Sequence, residues 1–265
     1  MRVLAIGDVC GSAGCEALGR LLPAFKKRES VDFVIANGEN SADGNGLSPR
    51  SADLLFAYGV DVITGGNHTL KRREICSAMD ESEYLLRPDN FDLAEYGCGY
   101  RLIDCGYTRI AVFNLSGTVY LESCQASSPF DRADRLIQKA QQDGAVLRFL
   151  DFHAEATSEK RAMGFYLDGK VSAVFGTHTH VQTADAQILP GGTGYITDLG
   201  MTGPIHSVLG IEPSIIIRRF QNPDSREKFT VASGPCVLSG CLFDVDPRSG
   251  LCTGCRAVCL HEGDR

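Results

Sequence analysis

Three times in its N-terminal third the chain repeats one order of elements: a short apolar run, a polar loop and a segment with helical periodicity. The apolar runs predict strands at residues 2–6, 33–36 and 60–64, and the periodic segments predict helices at 16–25, 48–58 and about 71–79. Ser48 followed by Pro49 is a typical helix start, because serine caps the first turn and proline fits the position after it. Repeated units of this kind favour a parallel or mixed sheet with helices on its faces.

The rest of the sequence predicts further strands and two more helices. Residues 100–105 and 109–115 flank a turn at Gly106-Tyr107-Thr108 and predict a hairpin, which makes the sheet mixed. Further strands are predicted at 146–152, 171–175, 187–189, 229–232, 237–245 and 251–260, and helices at 130–142 and 158–166. Residues 213–220 fit either a helix or a strand. No linker-like stretch interrupts the 265 residues, so one domain over residues 1–265 is expected.

The net charge and the hydropathy of the chain exclude some classes of protein. A net charge of −7 and a pI near 5.4 argue against a broad basic surface for nucleic acid. An acidic chain still suits metal-assisted phosphate chemistry, because a bound cation is the largest local charge in its site. The sequence contains no apolar stretch of the roughly 20 residues that span a bilayer, and Asp8 lies too early for a signal peptide. We therefore expect a cytoplasmic protein with no membrane partner.

Two histidines close the apolar run at 171–175. His178 and His180 are two residues apart, and on an extended backbone their imidazoles would point to the same side. That arrangement is typical of metal ligands. The alternative is that both histidines cap the strand end by hydrogen bonding to the backbone.

Other polar residues also follow predicted strands, and the carboxyl ends of strands form the ligand crevice of open α/β sheets. They are Asp8, Glu39, Asn40, Asn67, His68 and His153. Taken singly, an Asp or Asn here is more often a helix cap, and a lone histidine is usually a satisfied surface or core group. Taken together with the histidine pair, they form a nitrogen and oxygen ligand set that suits iron, manganese or zinc rather than calcium. Their number exceeds the needs of one ion and favours a two-metal site.

The motifs around these residues resemble a known family. Gly7-Asp8, Gly38-Glu39-Asn40, Gly66-Asn67-His68, Phe152-His153-Ala154-Glu155 and Gly176-Thr177-His178-Thr179-His180 resemble the ordered blocks of calcineurin-like metallophosphoesterases. They are most similar to the YmdB-like bacterial phosphodiesterase subfamily, as are the longer strings at 151–160 and 197–204. The chain departs from the wider superfamily at Cys10, which stands where a histidine is usual, and at Glu39, which replaces an aspartate. By resemblance, Asn40 takes the place of the missing histidine.

The resemblance implies a fold, two sets of metal ligands and a catalytic residue. The fold is an α/β, four-layer α-β-β-α sandwich of two mixed sheets. The cofactors are two divalent metal ions, with iron first and manganese or zinc as alternatives. The implied ligands of the first metal are Asp8, Glu39, Asn40 and His180, and those of the second are Glu39, Asn67, His153 and His178, with Glu39 bridging. His68 is the implied uncoordinated catalytic histidine, which assists the leaving alkoxide.

The function that follows is hydrolysis of small cyclic nucleotides, either 2′,3′- or 3′,5′-cyclic monophosphates, by a hydroxide held between the metals. The spacing of the motifs does not separate a diester from a monoester, so a 5′-nucleotidase-like phosphomonoesterase is the first alternative. A regulatory protein that senses metal or nucleotide with little turnover is the second. The expected partner is a small phosphodiester substrate, and a homo-oligomer is left open.

Two further features stay outside the predicted site. The 11 cysteines are expected to remain reduced, and the pair Cys252 and Cys255 is interpreted as free thiols rather than a zinc or redox site. Cys10 lies beside the proposed metals and could be oxidised or act as a soft ligand. The glycine-rich loop at 191–204 could bring Asp198 or Thr202 near the site or lie in solvent, and neither residue is included in the catalytic set.

Overall fold

The computed structural model describes residues 1–121 and 124–263. In chain order the strands are β1 (Arg2–Ile6), β2 (Asp8–Val9), β3 (Phe33–Asn37), β4 (Val62–Thr64), β5 (Tyr100–Asp104), β6 (Arg109–Ser116), β7 (Leu147–His153), β8 (Ala173–Thr177), β9 (Gln187–Ile188), β10 (Gly194–Ile196), β11 (Met201–Pro204), β12 (Cys236–Val245) and β13 (Cys252–His261). The helices are α1 (Gly11–Glu29), α2 (Pro49–Ala57), α3 (Ile75–Glu81), α4 (Pro129–Gln142), α5 (Thr157–Tyr166) and α6 (Pro213–Gln221), and a 3-10 turn covers Thr69–Lys71.

The strands form two mixed sheets. The first has the order β2-β11-β12-β1-β3-β4, with β13 also paired to β12. Within it β1, β3 and β4 are parallel, whereas β12 runs antiparallel to β1. The second has the order β5-β6-β7-β8-β10-β9, in which the four central strands are parallel and both edge strands are antiparallel.

Three hydrophobic cores separate four layers. One lies between the first sheet and helices α1 to α3, the second between the two sheets, and the third between the second sheet and helices α4 and α5. Strand β1 shows how the sequence builds this: Val3 and Ala5 enter the core between the sheets, while Leu4 and Ile6 face the helices. Alternate residues of a strand point to opposite faces, so a strand buried on both sides is apolar throughout. The predicted four-layer sandwich is confirmed.

Several local predictions are confirmed. Ser48 caps α2 by accepting a hydrogen bond from the backbone N–H of Ser51 at 3.1 Å. The hairpin joins β5 and β6, and the segment at 213–220, which fitted either helix or strand, is the helix α6. The residues predicted at 71–79 divide into the 3-10 turn and α3, so the helix begins later than expected.

Three local predictions are wrong. Residues 229–232 are not a strand, because Val231 makes only an isolated bridge to Ile211. The polar loop predicted after the strand at 2–6 contains β2, which pairs in parallel with β11. The loop at 191–204 is largely buried and contains β10 and β11, since β10 adds to the second sheet beside β8. Among the described residues, no helix is both long enough and apolar enough to cross a membrane.

Candidate metal centre

The polar residues that the sequence placed at strand ends lie together at one edge of the two sheets. Asp8 belongs to β2, His153 is the last residue of β7, and the others occupy the loops that follow β3, β4 and β8. Each has an atom within 3.2 Å of another member of the set. The set is Asp8, Glu39, Asn40, Asn67, His68, His153, His178 and His180.

His153 is the centre of one group of donor atoms. Its Nε2 lies 2.9 Å from Oδ1 of Asn67, 3.1 Å from Nδ1 of His178 and 3.2 Å from Oε1 of Glu39. The imidazole is completely buried. Gly66 permits this packing, because a Cβ at that position would lie 2.3 Å from the His153 ring. Ligand atoms of Glu39, His153 and His178 all lie within 4.8 Å of one another, which is the spacing of a cation site.

A second group surrounds the carboxylate of Asp8. Its Oδ2 accepts a hydrogen bond from the backbone N–H of His178 at 3.1 Å. Its Oδ1 is buried, finds no hydrogen-bond partner among the described residues, and lies 3.5 Å from Nε2 of His180. That same Nε2 is 3.2 Å from the amide of Asn40. A buried carboxylate oxygen without a partner is costly, and a cation at this position would satisfy it.

Glu39 lies between the two groups. Its side chain is 1% exposed, and Oε2 accepts a hydrogen bond from the backbone N–H of His68 at 2.7 Å. Its Oε1 is the oxygen that faces His153, and the next residue along the chain, Asn40, contacts His180. Glu39 thus contacts His153 directly, and Oε1 also accepts a hydrogen bond at 3.3 Å from the amide of Asn40, which contacts His180.

His68 differs from the other imidazoles of the site. Its Nδ1 lies 2.8 Å from Oδ1 of Asn40, and its side chain is 34% exposed, against 0% for His153, 19% for His178 and 11% for His180. It is the most exposed imidazole of the set. This accessibility suits a group that meets a substrate rather than one enclosed as a ligand.

The loop after β8 does not have the extended backbone on which the sequence argument for the histidine pair relied. The φ angles of His178 and His180 are +98° and +63°, both in the left-handed region that side chains rarely adopt. The two imidazoles therefore diverge: His178 turns to His153, and His180 turns to Asp8. The prediction that the pair points to one position from an extended strand is wrong in its geometry.

A buried ion pair supports this strained loop. Nζ of Lys160 lies 2.7 Å from Oδ2 of Asp198, and both side chains are 1% exposed. The same oxygen accepts hydrogen bonds from the backbone N–H of Thr179 at 3.1 Å and from its hydroxyl at 2.7 Å. Thr179 separates the two histidines, so this contact fixes the turn that directs them apart. The sequence analysis left Asp198 outside the site, and it acts here as a support.

A chain of hydrogen-bonded polar groups on the Nδ1 side of His153 orients its imidazole. The hydroxyl of Thr177 donates to Oδ1 of Asp151 at 2.7 Å, so its oxygen is the acceptor for Nδ1–H of His153 at 2.9 Å. This arrangement holds the ring proton on Nδ1 and leaves Nε2 free to bind a cation. Asp151 also accepts from Thr64 and Asn37. Sequence reasoning missed these residues, although polar side chains on otherwise apolar strands were an available signal.

Glu155 orients the imidazole of His178 in a similar way. Its Oε2 lies 3.0 Å from Nε2 of His178, on the side of the ring opposite to the nitrogen that faces His153. An outer carboxylate of this kind fixes which ring nitrogen carries the proton and raises the basicity of the other.

The electrostatics of the centre favour positive charge. Burial alone would raise the pKa of Asp8, but His180 and His153 outweigh it and hold the pKa below its usual range. Burial likewise raises the pKa of Glu39, and His153 more than compensates and lowers it. Both carboxylates are therefore ionised at neutral pH.

The pKa values of the imidazoles shift in opposite directions. Burial lowers the pKa of His153, yet the neighbouring carboxylates, chiefly Glu39, raise it to about 9. The pKa of His180 is raised in the same way by Asp8. Burial and the charge of His153 lower the pKa of His178 to about 4. In the metal-free chain, a proton on His153 thus supplies positive charge, and cation binding would displace it.

Within the described parts of the chain, no cysteine joins the group of Glu39, His153 and His178. Among the described residues no cysteine is in a disulfide bond, and Sγ of Cys255 lies 3.6 Å from Sγ of Cys241 rather than in a bond to Cys252. Burial, reinforced by Asp8, raises the pKa of Cys10 to about 12, so this thiol is neutral at pH 7. Its side chain is buried, and a Cβ at Gly210 would lie 2.2 Å from its sulfur.

Two mixed sheets with a carboxylate, amide and imidazole cluster at their shared edge define the calcineurin-like metallophosphoesterase fold. A putative 5′-nucleotidase from Staphylococcus aureus has the same fold at a TM-score of 0.60 and 13% identity, covering 97% of this chain and 54% of that one. The family described as YmdB-like protein matches residues 4–258, and the chain belongs to that family.

Closer relatives agree with this assignment. A 2′,3′-cyclic-nucleotide 2′-phosphodiesterase of Bacillus subtilis is 45% identical over 249 residues, which are 94% of this chain and 93% of that protein. The crystal structure of a phosphatase from Mycoplasma pneumoniae superposes with a TM-score of 0.93 at 37% identity, covering 100% of this chain and 94% of that one.

Proposed function

We propose that this protein is a binuclear-metal-dependent phosphodiesterase that hydrolyses 2′,3′-cyclic nucleotides. That it hydrolyses phosphoric esters follows from its family, since relatives matching nearly the whole chain are a phosphodiesterase and a phosphatase. The observation that carries the proposal is the convergence of Asn67, Glu39 and His178 on Nε2 of His153, beside the unpartnered oxygen of Asp8. The substrate is inferred from the name of the Bacillus subtilis relative.

The donor groups would divide between two ions. Asp8 and His180 would hold the first together with Asn40, and Asn67, His153 and His178 would hold the second, with Glu39 shared. Two bound cations of this kind lower the pKa of a water toward neutrality and neutralise the charge of the phosphate oxygens. Carboxylate, amide and imidazole ligands suit iron, with manganese and zinc as alternatives.

His68 would assist the leaving group. Hydrolysis breaks a P–O bond, and the departing alkoxide needs a hydrogen-bond donor or a proton. His68 lies next to Asn67 in the chain and is accessible, and Asn40 anchors its Nδ1 at 2.8 Å, which leaves Nε2 for the substrate. If Asn40 binds a cation through its oxygen, its NH₂ group faces His68 instead. Nδ1 of His68 then accepts, and the ring proton lies on Nε2, where the leaving oxygen needs it.

A 5′-nucleotidase-like phosphomonoesterase is the second candidate, because the fold is shared with a putative 5′-nucleotidase. A protein that binds a nucleotide without turnover is less well supported, since relatives that match nearly the whole chain are a phosphodiesterase and a phosphatase. The cytoplasmic location, 3′,5′-cyclic nucleotides as alternative substrates and a possible homo-oligomer remain predictions of the sequence.

A substrate panel tests the proposal. Metal-loaded protein is assayed on 2′,3′- and 3′,5′-cyclic nucleotides, bis(p-nitrophenyl) phosphate and 5′-mononucleotides. We expect the highest kcat/KM on a 2′,3′-cyclic nucleotide. Activity confined to the monoesters would replace the proposal with the phosphomonoesterase, and tight binding of cyclic nucleotides without hydrolysis would favour the regulatory protein.

A further inference from the structure

A cavity of about 300 Å³ opens beside the metal centre, and Gly66 and Asn67 form part of its wall. Asn67 connects the two spaces, because its Oδ1 lies 2.9 Å from Nε2 of His153. The next part of the wall is formed by Leu70 and Lys71, which lie in the 3-10 turn immediately after His68. A ligand held at the metal centre therefore has this cavity as its neighbour.

The opposite wall is formed by the loop after α3. Phe91, Leu93 and Ala94 line the cavity there. The backbone of this loop is anchored at Phe91: Phe91 forms a bridge with Ala126, and the N–H of Ala94 donates to the carbonyl of Phe91 at 3.1 Å. Leu93 is 75% exposed, so the interior of the protein does not explain its apolar side chain. The loop thus contributes an aromatic residue and an exposed aliphatic residue to the lining of the cavity.

We propose that this cavity binds the nucleobase of the substrate, an inference that rests on the proposed function. A base is flat and apolar on its faces, and the walls offered by Leu70, Phe91 and Leu93 suit such faces. The cation of Lys71 favours the same occupant, because cations attract the face of an aromatic ring. The volume is at the low end for ligand pockets and fits one base rather than a second nucleotide.

A second cavity makes a less suitable base site. It measures about 510 Å³ and is lined largely by polar and charged side chains, among them Ser12, Asp43 and Arg50. Its lining includes none of the predicted site residues in the described chain, in contrast to the cavity at Asn67. The apolar walls of the smaller cavity also affect specificity. They would contact the flat faces of a base, and every nucleobase has such faces. The cavity should therefore discriminate little between different bases.

The test compares two cyclic phosphates that differ in the base. Adenosine 2′,3′-cyclic phosphate carries a base, whereas glycerol 1,2-cyclic phosphate has the same reacting ring without one. The measured quantity is the ratio of kcat/KM for the two substrates on one preparation, in which any difference in folded or metal-loaded fraction cancels. The variants are Leu93→Ala and Phe91→Leu, and Ile217→Ala is the matched control, since Ile217 is an exposed aliphatic residue on α6.

We expect the ratio to fall about tenfold in Leu93→Ala and about fivefold in Phe91→Leu, because contacts to the base are lost. The ratio should stay at the wild-type value in Ile217→Ala. Cytidine 2′,3′-cyclic phosphate should show losses similar to those of the adenosine substrate. Unchanged ratios in both cavity variants would overturn the inference.

If the proposed function is wrong, wild-type protein will cleave neither cyclic phosphate. Calorimetric binding of adenosine 3′-monophosphate to metal-loaded wild type and Leu93→Ala then tests the cavity independently of turnover. Weaker binding by Leu93→Ala would support the base site without the enzymatic activity. Equal binding by both proteins, or no binding by either, would overturn the base site.

Discussion

The backbone N–H of His178 donates to Oδ2 of Asp8 at 3.1 Å, and this hydrogen bond joins the two sheets at the metal centre. Asp8 lies on β2 of the first sheet, and His178 follows β8 of the second. Because one oxygen of Asp8 is occupied in this way, the other is directed toward His180 without a partner among the described residues. The site thus depends on both sheets, and neither could form it alone.

His180→Ala should remove one metal and leave the other. His180 contacts the Asp8 group, whereas His153 and His178 form the neighbouring group. Elemental analysis by plasma mass spectrometry should find the metal content per chain reduced by half relative to wild type. His206→Ala is the control, since His206 is an exposed imidazole outside the cluster. Equal loss of both metals from His180→Ala would contradict the division of ligands.

His68→Ala should keep its metals and lose turnover. The side chain is the most exposed imidazole of the site and is anchored through Asn40 rather than enclosed among the carboxylates. Loss of a general acid typically lowers kcat by about 10²–10⁴-fold. The measurement pairs kcat on a cyclic nucleotide with metal content. A variant without metal would mean that His68 is a ligand.

Thr177→Val should weaken metal binding without changing any proposed ligand. Valine has nearly the same shape but cannot accept from Nδ1–H of His153 or donate to Asp151. Loss of an outer contact of this kind typically costs about 10–100-fold in metal affinity. Competition with a chelator measures the change, and Thr253→Val, at an exposed position, is the control. Wild-type affinity in Thr177→Val would show that the hydroxyl does not orient His153.

Lys160→Met should destabilise the protein strongly, because it leaves the carboxylate of Asp198 buried without its cation. Removal of one partner of a buried ion pair typically costs about 3–5 kcal/mol. The double variant Lys160→Met/Asp198→Asn should regain part of that loss, since no charge is left unpaired. Denaturant unfolding of metal-free protein provides the free energies.

Arg218→Met provides the comparison for that experiment, because Arg218 forms an exposed ion pair with Glu227 at 2.6 Å. Exposed pairs contribute little to stability, so this variant should unfold close to wild type. If Lys160→Met were as stable as Arg218→Met, the pair with Asp198 would not stabilise the loop between the histidines.

A mixed sheet with helices on its faces and the clustering of the site could be predicted because they depend on local patterns, whereas the four-layer sandwich of two sheets was implied by the family resemblance. Apolar strands followed by polar loops predict a sheet, and the carboxyl ends of its parallel strands lie at one edge. Glu39, Asn67 and His153 follow this rule and lie together as expected. Their roles as ligands are inferred from family resemblance and stay predictions.

Other features depend on contacts between distant residues. β2 exists because Asp8 pairs with Met201, and nothing near Asp8 in the sequence indicates that partner. The left-handed backbone of His178 likewise results from contacts made by the whole loop. Asp151 and Lys160 could have been noted as charged residues within buried segments. Their partners could not have been named, since Lys160 and Asp198 are 38 residues apart.

The most direct test of the two-metal site is anomalous diffraction from crystals of protein purified without oxygen. The proposed function predicts two metal peaks on either side of Glu39, one bound by Asp8 and His180 and the other by His153 and His178. A single peak, or metal bound away from these residues, would contradict it.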